Sequence, residues 1–369
     1  MNDRYVAPLF AGEIWIAVLA LAPIAVAAQA PQAKTATKTW TAILTADDQP
    51  DLQGVWSDTS ATPLERPKAL EGKAFLTDEE VARLKERAGR LFNNGNNDFV
   101  AGDNLFLALV TDLETLQNPN ATGGASEMVK RELDNRTSLI TDPPDGRIPP
   151  LTPAGLQRQA AAQAATLAIP WRPDLDPAAQ QLAMATKRRL PSGPEDLSNV
   201  IRCLSWGVPK IAGNANYTSH YQILQSPGYV VLLSEVNPEA RIIPLDRRLH
   251  LRHGLRQWHG DSLGRWEGST LVVETTNFSP KSYFMGSAED LHLIERFTRI
   301  SPDTISYEVT VSDSTTWTKP WTAVIYLRQT QDSIYEFACH EGNYEVMHGI
   351  LAGARAEEKA AEEVAKGPK

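Results

Sequence analysis

Leu291–Val311 reads LHLIERFTRISPDTISYEVTV, two alternating runs, Leu291–Ile300 and Thr304–Val311, on either side of Ser301-Pro302-Asp303. A period of two is the pattern of a strand with one buried face, and a short proline-bearing break between two such runs is a hairpin turn. Leu293, Glu295 and Phe297 share one side of the first run; His292, Ile294 and Arg296 share the other. Upstream, Tyr221–Gln225 is expected to pair with Tyr229–Glu235 across Ser226-Pro227-Gly228, and Arg241–Leu245 follows the Asn237-Pro238 turn. Arg256–His259 leads through Asp261–Gly264 and Trp266–Gly268, read as turns, to Thr270–Thr276. Downstream, Trp321–Arg328 is expected to pair with Ile334–Cys339 across Gln331-Asp332-Ser333. Hairpins that follow one another without helices make an up-and-down antiparallel sheet, which must close or pack on something to bury its apolar face, and a closed barrel is the economical solution. The sequence therefore predicts a mainly β protein with an antiparallel barrel over residues 214–345.

The segments before the barrel obey different rules. Residues 50–60, containing Gly54-Val55-Trp56, read as a first barrel strand, and residues 61–213 as an inserted helix and loop region that caps it. Thr77-Asp78-Glu79-Glu80 is a capping box for a helix to about Arg90. Thr152 caps, and Pro153 opens, an alanine-rich helix to about Leu167, and another is expected over Pro177–Lys187. Asn93–Asn97 and Asn118–Gly124 read as loops, and Asp142-Pro143-Pro144-Asp145-Gly146 as a turn. Residues 346–369 are expected to form a C-terminal helical tail.

The first thirty residues carry Arg4, an apolar run from Ile14 to Ala28 and the small-residue pattern Ala25-Val26-Ala27, the layout of a cleaved signal peptide. Residues 31–49 then link it to the fold. The competing reading is a permanent anchor, but the run falls short of the roughly 20 residues of a span and contains Pro23. A periplasmic or secreted protein with no stable membrane span after cleavage is the expectation. With a net charge of −9, and Lys187-Arg188-Arg189 as its basic cluster, the chain has no field for phosphate backbones, so a small molecule is expected as partner rather than nucleic acid. In an oxidising compartment Cys203 and Cys339 are expected to pair, pinning the segment before the barrel to its last strand. A thiolate at Cys339 beside His340, and two free buried thiols, are the alternatives.

Three blocks carry a resemblance: Asn135–Ile140 with Asp142–Pro150, Gly264–Val273, and Ala338–Tyr344. They resemble a large family of exported proteins of proteobacteria and acidobacteria over about Pro50–Glu358, with Ser269 standing where that family has Asp. The resemblance implies export and carries no catalytic assignment. Gly54-Val55-Trp56 is also similar to the Gly-x-Trp first strand of lipocalins and other calycins. That likeness implies a calycin-like barrel with one open mouth and an interior cavity.

All seven histidines lie beyond position 219, in the β half. His340, with Glu235 or Glu295 from neighbouring strands, is the expected proton-transferring set at a barrel mouth. Tyr221, Arg241, His220 and His292 are expected to contact substrate, and Trp317 and Trp321 to form a pocket rim. A salt bridge between Glu295 and Arg241 is the purely structural alternative. The chemistry expected is cofactor-free. His250-Leu251-Arg252-His253 with His292 or His340 could in principle hold zinc, yet no His-Glu-x-x-His helix or Cys-x-x-Cys knuckle is present. The absence of a Gly-x-Ser-x-Gly elbow, a phosphate loop and a dinucleotide fingerprint argues against three common enzyme classes. The leading expectation is an exported lyase, isomerase or hydrolase acting on a small, partly apolar molecule. A non-catalytic carrier of a hydrophobic or aromatic ligand and an envelope interaction module are the competing classes.

Overall fold

The computed structural model describes residues 40–366 except 42, 59, 93–131, 166–189, 206, 210, 212–219, 237–238, 247 and 253. Its strands are β1 (Gly54–Ser57), β2 (Ile140–Asp142), β3 (His220–Ser226), β4 (Tyr229–Ser234) and β5 (Glu239–Pro244). They continue as β6 (Asp261–Glu267), β7 (Thr270–Thr276), β8 (His292–Ser301), β9 (Thr304–Ser312) and β10 (Trp321–Thr330). The helices are α1 (Asp78–Phe92), α2 (Pro153–Ala165) and α3 (Asn343–Lys366). The expected signal peptide over residues 1–30, residues 31–39 of the expected linker, the helix expected at Pro177–Lys187, the loops expected at Asn93–Asn97 and Asn118–Gly124, and the turn residues Asn237 and Pro238 lie outside the described residues.

The barrel wall runs β5-β4-β3-β1-β10-β9-β8-β7-β6, and every ladder in it is antiparallel. Strand direction alternates along this path, and nine is an odd number, so the two end strands, β5 and β6, point the same way. They approach side by side without an antiparallel ladder, and the barrel is nearly closed. Gly264 of β6 makes the approach possible. A Cβ there would sit 2.8 Å from Ile243 Cγ2 and 2.7 Å from Leu245 Cδ2, and the isoleucine branch is stiff. The seam is therefore closed by side-chain packing where backbone hydrogen bonds are missing.

Alternate residues of the strands fill the interior. Leu293, Val309, Ile223 and Ile243 are among the fully buried aliphatics. Trp56 donates from Nε1 to the Leu52 carbonyl at 2.8 Å, and the Arg299 guanidinium lies 5.2 Å from its ring centroid. Arg299 also donates to the Asp51 carbonyl at 3.0 Å, which ties the lead-in to β1 to the end of β8.

Only a few residues of β10 meet β1, where Val55 faces Thr330 and Ser57 faces Arg328. The rest of that edge is covered by the block around Asn135–Pro150. Ile140 pairs with Ala323, Val324 N donates to Leu139 O at 2.9 Å, and Arg136 Nη1 donates to Val324 O at 2.8 Å. This long motif seals a sheet edge that would otherwise present unpaired backbone. Both expected helix starts are formed. Thr77 and Glu80 exchange reciprocal bonds at 3.3 and 2.8 Å, and Thr152 Oγ1 accepts from Gly155 N at 3.0 Å.

Two expected strands are absent. Residues 331–338 are irregular because β10 already has β9 on one side and β1 with β2 on the other, leaving no edge to pair with. Arg256–His259 forms no strand, and Asp261–Gly264, read as a turn, begins β6; the turn itself is at Gly268, where φ is +61°. The expected disulfide Cys203–Cys339 is present, but Cys339 lies beyond the last strand, in the lead to α3.

Asp313 organises the β9–β10 connection, accepting from Ser287 Oγ and Thr316 Oγ1, each at 2.6 Å, and from Thr315 Oγ1 at 2.7 Å. Burial pushes its pKa up, but these donors outweigh burial and the net direction is down. A carboxylate with a lowered folded pKa contributes stability in full above its unfolded value, about 3.9, and loses it as pH falls through the folded value. Asp313→Asn is expected to destabilise by about 2–3 kcal/mol at neutral pH, with the gap to wild type narrowing below about pH 4, as read by denaturant titrations at several pH values. Gly264→Val should cost about 1–3 kcal/mol by overpacking the seam, measured in the same titration; an unchanged midpoint would mean that the seam is not a tight contact.

Candidate functional site

Residues two apart on a strand face the same way, and on β5 that rule turns Glu239 and Arg241 inward beside Ile243. It likewise turns Glu295 and Phe297 inward from β8, Tyr221 and Ile223 from β3, and Tyr307 from β9. These side chains meet at a cavity of about 60 Å³, room for a few water-sized groups, with Val208, Leu232, Ile325 and Leu327 among its apolar walls.

Across it, Arg241 grips Glu295 with both terminal nitrogens. Nη1 reaches Oε1 at 3.2 Å, and Nη2 pairs with Oε2. Tyr307 adds a hydrogen bond from its hydroxyl to Glu295 Oε1 at 2.8 Å. Glu295 is 1% exposed, so the fork-shaped guanidinium and the phenol replace the water its carboxylate has lost. Burial pushes the Arg241 pKa down, but the charge and hydrogen bonds of Glu295 outweigh it and the net direction is up. Burial, reinforced by the Glu295 charge, pushes the Tyr307 phenol well up. Burial also raises Tyr221, with the carboxylates of Asp58 and Glu295 adding to the effect, so Tyr221 stays a protonated donor.

His259, just before β6, completes the cavity wall. Its Nε2 lies 3.2 Å from Glu239 Oε1 and 2.9 Å from Ser205 Oγ. The contact with Glu239 is charge proximity at ion-pair distance, whereas that with Ser205 is a hydrogen bond whose direction depends on the tautomer of His259. Ser205 Oγ also accepts from Gly207 N at 2.9 Å. In a serine-nucleophile triad the carboxylate holds one ring nitrogen and the serine the other; here both meet the same nitrogen, so His259 does not activate Ser205 as a base. What the pair can do is exchange a proton with a bound molecule.

The loop carrying Ser205 and Val208 is tied down next to the cavity. Cys203 is bridged to Cys339, Asn343 Nδ2 donates to Ile201 O at 2.8 Å, and Asn199 Nδ2 donates to Lys281 O at 2.8 Å.

Of the residues expected from sequence, Tyr221, Arg241 and Glu295 line the cavity together, whereas His340, Glu235, His220, His292, Trp317 and Trp321 do not. His340 is exposed in the turn before α3, where its carbonyl accepts from Asn343 N at 3.2 Å. Glu235 lies 3.3 Å from His220 Nδ1 and accepts from Tyr335 N at 3.1 Å, a pair at the end of the β3–β4 hairpin. His292 is on the outer face, 2.8 Å from Glu274 Oε1 and 3.2 Å from Ser312 Oγ. Trp317 and Trp321, 2% and 0% exposed, pack edge to face at 5.9 Å and against Phe284, so they are core rather than rim. His250 pairs with Asp261 at 3.0 Å, and His253 lies outside the described residues. Among the described residues, no three or more His, Cys, Asp or Glu side chains converge as a metal site, and no helix is long and apolar enough to cross a membrane.

Sequence reasoning missed Glu239, Ser205 and the role of His259. Glu239 was legible, sharing a strand face with Arg241. Ser205 and His259 come from loops whose meeting no periodicity describes.

Comparisons of the chain with protein-family models, with curated proteins and with solved structures give no match. The nearly closed antiparallel barrel is compatible with a lipocalin-like fold and confirms no family.

Breaking a buried pair leaves an uncompensated charge, whereas replacing both partners with apolar groups removes the desolvation cost along with the attraction. Glu295→Ala should therefore destabilise by about 3–5 kcal/mol, and the double variant Arg241→Met/Glu295→Leu by clearly less, as measured in a denaturant double-mutant cycle.

Proposed function

We propose that this protein is exported and acts on a small, partly apolar molecule by acid/base chemistry in the barrel cavity. The observation that carries the reading is the presence, in one largely apolar cavity, of a histidine–carboxylate pair, His259–Glu239, and a protonated phenol, Tyr221. The His259–Glu239 pair takes a proton from, or returns it to, the bound molecule. Tyr221 donates a hydrogen bond to the oxygen on which charge develops, in a setting where apolar walls strengthen that bond. Arg241, held by Glu295 and Tyr307, keeps the site rigid. This assignment moves the proton-transfer role from His340 and Glu235, which do not line the cavity, to His259 and Glu239. The disulfide fits an oxidising compartment and supports export.

The carrier reading uses the same cavity, and solvent-proton exchange separates the two. Small ketones and esters captured by the protein, as detected by native mass spectrometry, would be incubated with it in D2O and their C–H signals followed by NMR. Deuterium incorporation that falls at least about a hundredfold in His259→Asn, with capture retained, is expected for proton-transfer catalysis. Capture without deuterium incorporation would leave a carrier and overturn the catalytic reading.

A further inference from the structure

The cationic groups of the cavity wall are already committed. The charge of Arg241 is matched by Glu295 through both terminal nitrogens, which leaves only its Nε–H as a donor, and His259 stands 3.2 Å from Glu239. A third carboxyl group, Asp58, also lines the cavity, so among the described lining residues carboxyl groups outnumber basic side chains. A ligand carboxylate entering this space would find no uncommitted cation among the described lining residues and would be repelled by Asp58 and Glu239. An ammonium ligand meets a different obstacle. Glu295 and Glu239 already face cationic groups, Asp58 accepts from Ser60 N at 3.1 Å, and the apolar walls offer nothing to replace an ammonium's water. An uncharged oxygen function has what it needs, because a phenol such as Tyr221 donates one hydrogen bond and asks for no countercharge.

The geometry points to an uncharged, oxygen-bearing, partly apolar molecule, a ketone, alcohol or ester, as the ligand of this cavity, with carboxylic acids excluded by the Arg241–Glu295 pairing. The inference rests on the cavity being the functional site and names the chemistry of what it takes. Glu295 and Glu239 are on this account the specificity-determining residues, because their charges decide which ligand charge the cavity tolerates. The cost of a like charge at such range in a partly buried site corresponds to at least a tenfold loss of affinity.

The test uses four probes on one skeleton: cyclopentanone, cyclopentanol, cyclopentanecarboxylate and cyclopentylammonium. Affinities for the full, oxidised chain would be measured by ligand-observed NMR at neutral pH, with Leu232→Trp, which fills the cavity wall, as the control for where binding occurs. Expected is binding of the ketone and alcohol at least about tenfold tighter than of either ion, lost in Leu232→Trp. Glu239→Gln should narrow the gap for the carboxylate, and Glu295→Gln, which leaves Arg241 without its carboxylate, should narrow it further. If Glu295→Gln does not fold, the wild-type ratios and Glu239→Gln decide alone. Tighter capture of the carboxylate or of the ammonium by wild type would overturn the ligand class while leaving the cavity as the site. No probe binding, or binding that Leu232→Trp leaves intact, would overturn the cavity reading and the ligand class together.

Discussion

The buried pair between Arg241 and Glu295 is the contact on which the rest of this barrel depends. An antiparallel path of nine strands cannot end with two neighbours running in opposite directions, so β5 and β6 meet without the ladder that joins every other pair. The edge strand β5 is held instead by side chains. Ile243 packs into the space left by Gly264, and Arg241 reaches past β6 and β7 to Glu295 on β8. Tyr307 on β9 completes the carboxylate's hydrogen bonds. One charge pair thus spans the weakest line of the wall, and its desolvation cost is offset only because guanidinium and phenol together satisfy both carboxylate oxygens.

The same pair shapes the cavity. Because Arg241 is neutralised by Glu295, it does not present a bare positive charge to a ligand, and the remaining polar groups are left to define the chemistry. These are a phenol kept protonated by burial and a histidine that stands beside a carboxylate and is hydrogen-bonded to a serine. The disulfide serves this arrangement indirectly, by anchoring the loop that brings Ser205 to His259 and Val208 to the cavity wall.

The three sequence blocks that suggested a family prove to be devices of closure. The block around Asn135–Pro150 covers the open part of β10, Gly264–Val273 forms the seam strand and its hairpin partner, and Ala338–Tyr344 carries the cysteine and the turn into α3. Each block thus has a structural role at an edge, a seam or an anchoring bridge.

What the sequence by itself determined is the local grammar: the alternation that makes β3, β4 and β7–β10, the capped starts of α1 and α2, and the inward face carrying Glu295 with Leu293 and Phe297. These depend on neighbours a few residues apart, where periodicity and turn chemistry operate. The tertiary structure alone decided which edge β10 offers, and so why residues 331–338 are not a strand, since edge occupancy depends on β1 and β2 from far upstream. It also decided that Trp317 and Trp321 are core, that His340 faces solvent, and that His259 rather than His340 meets a carboxylate at the cavity. The physical reason is that a barrel site is assembled from residues on different strands and loops. Their meeting is set by ring closure and strand register, which short-range sequence pattern does not encode.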